Sequence, residues 1–183
     1  MAEKAKTING SGIQKALTDE KRFGKAGAID DKSPDNPGIY CVRIINSKTL
    51  PNPFHNRKHI YIGIASKSLK KRLNQELRGK GHGTFFRSIG AVLGFRPERG
   101  SLREKKNKSN YKFNREDQEK IIEWINDNLE LSWVPVRGEL KDIEKQAIQQ
   151  IGPLFNLQHN PQALEELKKL RAECRRIANI VDR

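Results

Sequence analysis

Two short runs constrain this fold more than any other feature. Residues 38–45 read GIYCVRII and His59–Ala65 read HIYIGIA, almost wholly β-branched, aromatic or small and apolar. Runs of that length and make-up are buried strands. Pro34, Asp35, Asn36 and Pro37 punctuate the chain just before the first. The 46–57 segment between them carries Asn, Pro and Ser and is longer than a tight hairpin turn, so the pair is read as antiparallel.

Helical periodicity takes over downstream. Ser68 is a plausible N-cap for a helix over 68–77, with Leu69, Leu73 and Leu77 at helical spacing. The glycines of 79–83 break it. A second helix over 84–93 places Phe85, Ile89 and Val92 on one face. Residues 96–115 are basic and polar with no period, which predicts a long loop or insertion. A helix over 116–129 follows, then a strand over 131–136 in which Pro135 favours an edge or a strand end. A helix over 139–151 is stopped by Gly152 and Pro153. The last helix, 161–181, carries Leu164, Leu167, Leu170, Cys174, Ile177 and Val181 along one stripe, fit to pack on the domain or on a second copy. Residues 1–37 are polar, with a short helix around 13–17. The reading is a small α/β (α+β) sandwich: a three-stranded, mainly antiparallel sheet flanked by helices. It divides into a polar N-terminal arm (1–36), a core domain (37–158) with a basic insertion (96–115), and a C-terminal helix (159–183).

Charge narrows the partner. The chain carries a net +14. Residues 65–115 alone hold 8 lysines and 7 arginines against 3 glutamates, a net +12. Charge concentrated in this way neutralises phosphates and releases counterions, so nucleic acid leads over a merely solvated or ribosome-associated face. No apolar run is long enough to span a bilayer. The opening residues Met1, Ala2, Glu3 and Lys4 lead into no apolar signal region, and Cys41 and Cys174 lie far apart without zinc-ligand spacing. A cytoplasmic protein with reduced thiols and no small-molecule cofactor is expected.

Within this frame, Gly38-Ile39-Tyr40 lies in the first strand and Tyr61-Ile62-Gly63 in the second. Arg72 follows on the next helix, Glu144 on a later one, and Asn156 comes after the break at Gly152 and Pro153. In this order the residues resemble the GIY-YIG nuclease domain over about residues 37–158, with YIGIASKSLKKRL the strongest local match. The resemblance implies a GIY-YIG endonuclease-like fold and a metal-dependent endonuclease acting on phosphodiester bonds in DNA. Glu144 would be a hard oxygen ligand to Mg²⁺ (or Mn²⁺), which binds through one or two carboxylates and keeps several waters. Tyr40 would be the general base. Arg72 would offer a bidentate guanidinium to the scissile phosphate. Tyr61 would hydrogen-bond in the same site, and Asn156 would fix local backbone or the metal-bearing helix.

Each residue also has a plainer account. The tyrosines suit core aromatics with one wet end, Arg72 a solvated helix face, Glu144 a surface helix position and Asn156 a turn cap. The constellation, not any member, carries the nuclease reading, against an alternative of a non-catalytic nucleic-acid-binding protein on a GIY-YIG fold. Restriction-type members place a His four residues after the helix Arg, and here Glu76 stands there. The residue that assists the base is therefore open among His82, Lys71 and His59. For DNA contact the expected cations are Lys70, Lys71, Arg78, Lys80, Arg87, Arg103, Lys105, Lys106, Lys108 and Lys112, with Tyr111 and Phe113 of the insertion stacking on bases or entering a groove. One site per chain leaves either a homodimer or two sequential nicks as the route to a double-strand break.

Overall fold

The protein is described by a computed structural model over residues 10–29 and 33–180. Strands β1 (Gly24–Lys25), β2 (Gly38–Ile44), β3 (His59–Ala65) and β4 (Leu129–Pro135) form one sheet in the order β1-β4-β2-β3, every pairing antiparallel. The mixed α/β class and the antiparallel 38–45/59–65 pair are as the sequence predicts. The fourth strand is new. β1 is two residues long and meets only Leu131 and Glu130, too little to leave a pattern in sequence. Pro135 is the last residue of β4, where its missing N–H costs the ladder nothing.

All seven residues of β2 are buried, because helices cover both faces of the sheet. Tyr40, Val42 and Ile44 enter one core, Ile39 and Cys41 the other, the two-residue period of a strand. The smaller core lies under α1 (Gly10–Thr18) and α5 (Leu140–Ile151), through Ile13, Leu17, Ala147 and Ile148. The larger lies under α2 (Leu69–Leu77), α3 (Thr84–Val92), α4 (Arg115–Asn128) and α6 (Glu165–Ala178). The segment expected as a polar arm thus contributes a helix and a strand to the domain over its described residues, while 1–9 and 30–32 lie outside them.

Local chemistry sets the boundaries. Ser68 caps α2 by accepting a hydrogen bond from Lys71 N at 3.1 Å, and α5 ends where Gly152 turns left-handed. The last helix starts at Glu165 rather than 161, because Asn160 commits the chain to a turn. Its amide donates to Pro153 O and Asn156 O, and its Oδ1 accepts from Gln162 N. Leu167, Cys174 and Ala178 of that helix are buried against the chain's own core; Val181 lies outside the described residues. Both cysteines are free and buried. No helix among the described residues is long and apolar enough to cross a membrane.

The insertion lacks regular structure, as expected, but its aromatics are not available for DNA. Tyr111 is fully buried and Phe113 nearly so, with Leu102 beside them in the larger core. Lys112 between them is exposed, so the YKF triplet alternates inward and outward. Stacking on bases by Tyr111 and Phe113 is therefore excluded: their rings already pack on one another, and Phe113 packs on Phe86 as well.

Candidate active site

The site grows from the centre of the sheet. Tyr40 on β2 stands opposite Gly63 on β3, and this pairing explains the glycine. A Cβ at Gly63 would overlap the Tyr40 hydroxyl and crowd Tyr61, so only glycine lets the phenol lie across the neighbouring strand. Tyr40 and Tyr61 project to the same face with ring centroids 6.2 Å apart, and Tyr61 leans on Phe85 at 5.1 Å. Tyr40 is sealed from solvent, whereas Tyr61 reaches the open cleft.

Helix α2 brings Arg72 to the two phenols. One turn further, Glu76 Oε1 lies 2.5 Å from Arg72 Nη2, with the Arg side chain 37% exposed and the Glu side chain 2%. Glycine makes room again: a Cβ at Gly83 would come within 2.6 Å of the Glu76 carboxylate. Burial pushes Glu76 up from the ordinary carboxylate value, with Arg72 and Arg87 opposing. Desolvation also works against the Arg72 charge, but Tyr40 and Glu76 outweigh it and keep the guanidinium ionised. Both phenols are raised, first by burial and next by Glu76, with Arg72 pulling the other way. The position where the restriction-type pattern has a histidine is thus filled by a buried acid whose partner is the site's arginine.

Glu144 comes from α5 and lines a cleft of about 470 Å³ together with Tyr61 and Asn156. It is half-buried and forms no hydrogen bond or ion pair among the described residues. Burial raises its pKa and the Arg72 charge opposes, so the two groups sense each other across the site. No group of three or more His, Cys, Asp and Glu side chains stands together among the described residues. The donor set is one cleft-facing carboxylate, which fits an ion that retains most of its water, as Mg²⁺ does, and not an all-protein cage.

Tyr40, Tyr61, Arg72 and Glu144 therefore converge. Asn156 lies beside them, and its amide has a definite use. Its Oδ1 accepts from Ile62 N at 2.8 Å and its Nδ2 donates to Ile62 O at 2.9 Å, so the side chain pairs with the middle of β3 like a strand residue. Leu154 N and Phe155 N donate to His59 O and Ile60 O on the same edge. Asn156 is a backbone clamp for the strand that carries Tyr61.

His82 does not join the cluster. Its Nδ1 accepts from Phe113 N at 3.1 Å, which leaves Nε2–H to donate to Gln118 at 2.9 Å, and the ring stacks on Phe86. Burial lowers its pKa, and with both nitrogens engaged it has none left to shuttle a proton. A glycine-flanked histidine read in sequence as a catalytic assistant is a neutral structural one. Of the other two candidates, Lys71 is exposed, and His59 has its pKa lowered, first by burial.

Arg87 is also corrected. It is buried on α3 with its guanidinium 5.8 Å from the Tyr111 ring, so it presents no free charge to DNA. Lys70, Lys71, Lys80, Arg103, Lys105, Lys106, Lys108 and Lys112 are exposed and Arg78 half-buried. None of them lines the cleft that holds Glu144. The cations that do line it, Lys168, Arg171 and Arg175 of α6, went unrecognised in sequence. Their only signal in sequence is their spacing along a helix whose apolar stripe is the stronger pattern.

A family model described as the GIY-YIG catalytic domain matches residues 38–173, and no curated protein or solved structure matches the chain.

Proposed function

The chain belongs to the GIY-YIG family of nuclease domains, and from that membership we propose that it is a metal-dependent endonuclease hydrolysing phosphodiester bonds in DNA. The observation that carries the reading is the convergence of Tyr40, Tyr61, Arg72 and Glu144 from four separate elements, Tyr61 and Glu144 on the wall of one cleft and Tyr40 and Arg72 beside them. Phosphodiester hydrolysis needs an activated water, charge relief on the phosphoryl oxygens and stabilisation of the leaving oxygen. Glu144 would hold Mg²⁺ (or Mn²⁺), which would supply positive charge to offset the negative charge developing on the leaving oxygen. Arg72 binds the non-bridging oxygens of the scissile phosphate, and Glu76 fixes the direction from which its guanidinium approaches. Tyr61, on the cleft wall, orients the attacking water. The water's proton passes to Tyr40 in the role the family resemblance gives it. That transfer requires a phenolate, which burial and Glu76 oppose and Arg72 favours, so cleavage accelerates toward alkaline pH. Asn156 keeps the strand bearing Tyr61 in register.

Plasmid cleavage with and without Mg²⁺, comparing the wild type with Glu144→Ala, tests this. Metal-dependent nicking or linearisation, reduced at least a thousandfold in the variant, is expected (about 4 kcal/mol or more of the barrier). A wild type that binds DNA yet never cuts it with either ion turns the reading into that of a binder on a nuclease fold. Linear product appearing before nicked product points to two copies acting together, and the reverse order to sequential nicks.

A further inference from the structure

The catalytic cleft has a wall that the GIY and YIG strands do not build. Lys168, Arg171 and Arg175 of α6 are spaced i, i+3 and i+7, one face of a helix, and that face lines the cleft shared by Tyr61 and Glu144. The apolar residues Leu167, Cys174 and Ala178 hold the helix to the core, so the cationic face is fixed in its direction. Glu144 is the only acid among the described residues that line the cleft. A hollow with one carboxylate and three cations fits a polyanion whose reacting group meets the carboxylate's metal and whose neighbours meet the cations.

The three cations differ in a telling way. Arg171 is locked: its Nη1 donates to Thr84 O at 3.0 Å and to Ser88 Oγ at 2.8 Å, and its guanidinium lies 5.9 Å from the Tyr111 ring. A preorganised guanidinium loses little freedom when it takes a phosphate. Arg175 is exposed, and its guanidinium makes no hydrogen bond or ion pair among the described residues. Among the described residues Lys168 pairs only with Glu165 one turn back at 2.5 Å, an exposed contact of the kind easily exchanged for another anion. From Lys168 to Arg175 the helix rises about 10 Å, or roughly three nucleotide steps along a strand.

We propose that α6 is the backbone-binding wall of the catalytic cleft, Lys168, Arg171 and Arg175 holding the phosphates that flank the scissile one. This rests on the nuclease reading for which phosphate is cut, but not for the binding itself. The cations of the insertion make a different region: Lys105 and Lys112 line a separate hollow of about 430 Å³ that contains none of the catalytic residues.

The test is fluorescence anisotropy of a labelled 20-base-pair duplex with the full-length chain in EDTA, so that no cleavage intervenes. Three proteins are compared: wild type, Lys168→Ala/Arg175→Ala, and Lys105→Ala/Lys106→Ala. Both double variants remove two exposed charges, and thermal melts check that both remain folded. The α6 variant is expected to bind about tenfold or more weakly near 0.1 M salt and to lower the slope of log K against log salt by about two. The insertion variant is expected to lose less than half of that on the logarithmic scale. Equal losses would mean that net charge alone matters and would overturn the proposal, as would an α6 variant within twofold of wild type. The plasmid assay separates the two readings. Cleavage by a wild type whose α6 variant binds normally sinks the wall and leaves the nuclease. Selective loss of binding in a chain that never cuts does the reverse.

Discussion

The insertion at 96–114 and α6 are both rich in lysine and arginine, but they spend their charge differently. In the insertion the cations other than the half-buried Arg96 face solvent while Leu102, Tyr111 and Phe113 are buried, so the segment behaves as an irregular piece of core with a charged exterior. In α6 the apolar stripe anchors the helix and the cations line the cleft that holds Tyr61 and Glu144. The two are also tied together. Gly100 N and Leu102 N donate to Ile177 O and Ala178 O, Asn179 Nδ2 donates to Lys108 O, and Arg96 pairs with Glu173 at 3.0 Å. The insertion braces the end of the helix, and the helix faces the cleft. Charge density along a sequence says that a polyanion is expected; only packing says which cations meet it.

The largest effect that bears on this contrast is on stability. Phe113→Ala should cost about 3–5 kcal/mol, because the ring packs against Phe86, Tyr111 and His82 inside the core. Urea unfolding measures it, and a loss under about 1 kcal/mol would restore the insertion to a loose arm. Next comes the brace. Asn179→Ala removes donors to Lys108 O and Arg175 O and should cost about 1 kcal/mol, with faster amide exchange in the last turn of α6. Unchanged exchange there would uncouple the two regions. The smallest effect is pH-dependent. Burial lowers the His82 pKa, so the unfolded chain takes up a proton near pH 6.5 that the folded chain resists. Stability is therefore full above that value and falls as pH drops through it toward the lowered one. His82→Gln should flatten part of that fall; a parallel fall in both proteins would show that His82, and the Phe113 backbone it holds, are not what acid loosens.

Legibility in the sequence followed how many neighbours a residue's role required. β2 and β3 were readable because burial on both faces leaves almost no polar position, Arg43 and His59 apart, and Ser68 because a cap is a local contract between a hydroxyl and an amide three residues on. The tyrosines, Arg72 and Glu144 could be read only as a set, since each side chain alone has a plainer use. What stayed hidden depended on distant partners. β1 exists because Leu131 and Glu130 are there to pair with, and the late start of α6 comes from Asn160 reaching back to Pro153. The burial of Tyr111 and Phe113 had a faint local trace in the exposed Lys112 between them, overwhelmed by the surrounding lysines. Glu76 registered only as a mismatch; its burial beneath Gly83 and its hold on Arg72 are three-dimensional facts.

The clamp that Asn156 places on β3 has a consequence for the life of the chain in a crowded solution. A sheet this rich in isoleucine, valine and tyrosine is a template for strand addition wherever an edge lies bare. One edge here is two residues long, and the other is occupied by Leu154, Phe155 and the Asn156 amide. The net +14 also keeps molecules apart. The same asparagine that steadies β3 thus covers part of that strand's outer edge, and its replacement by alanine should be felt as aggregation during expression.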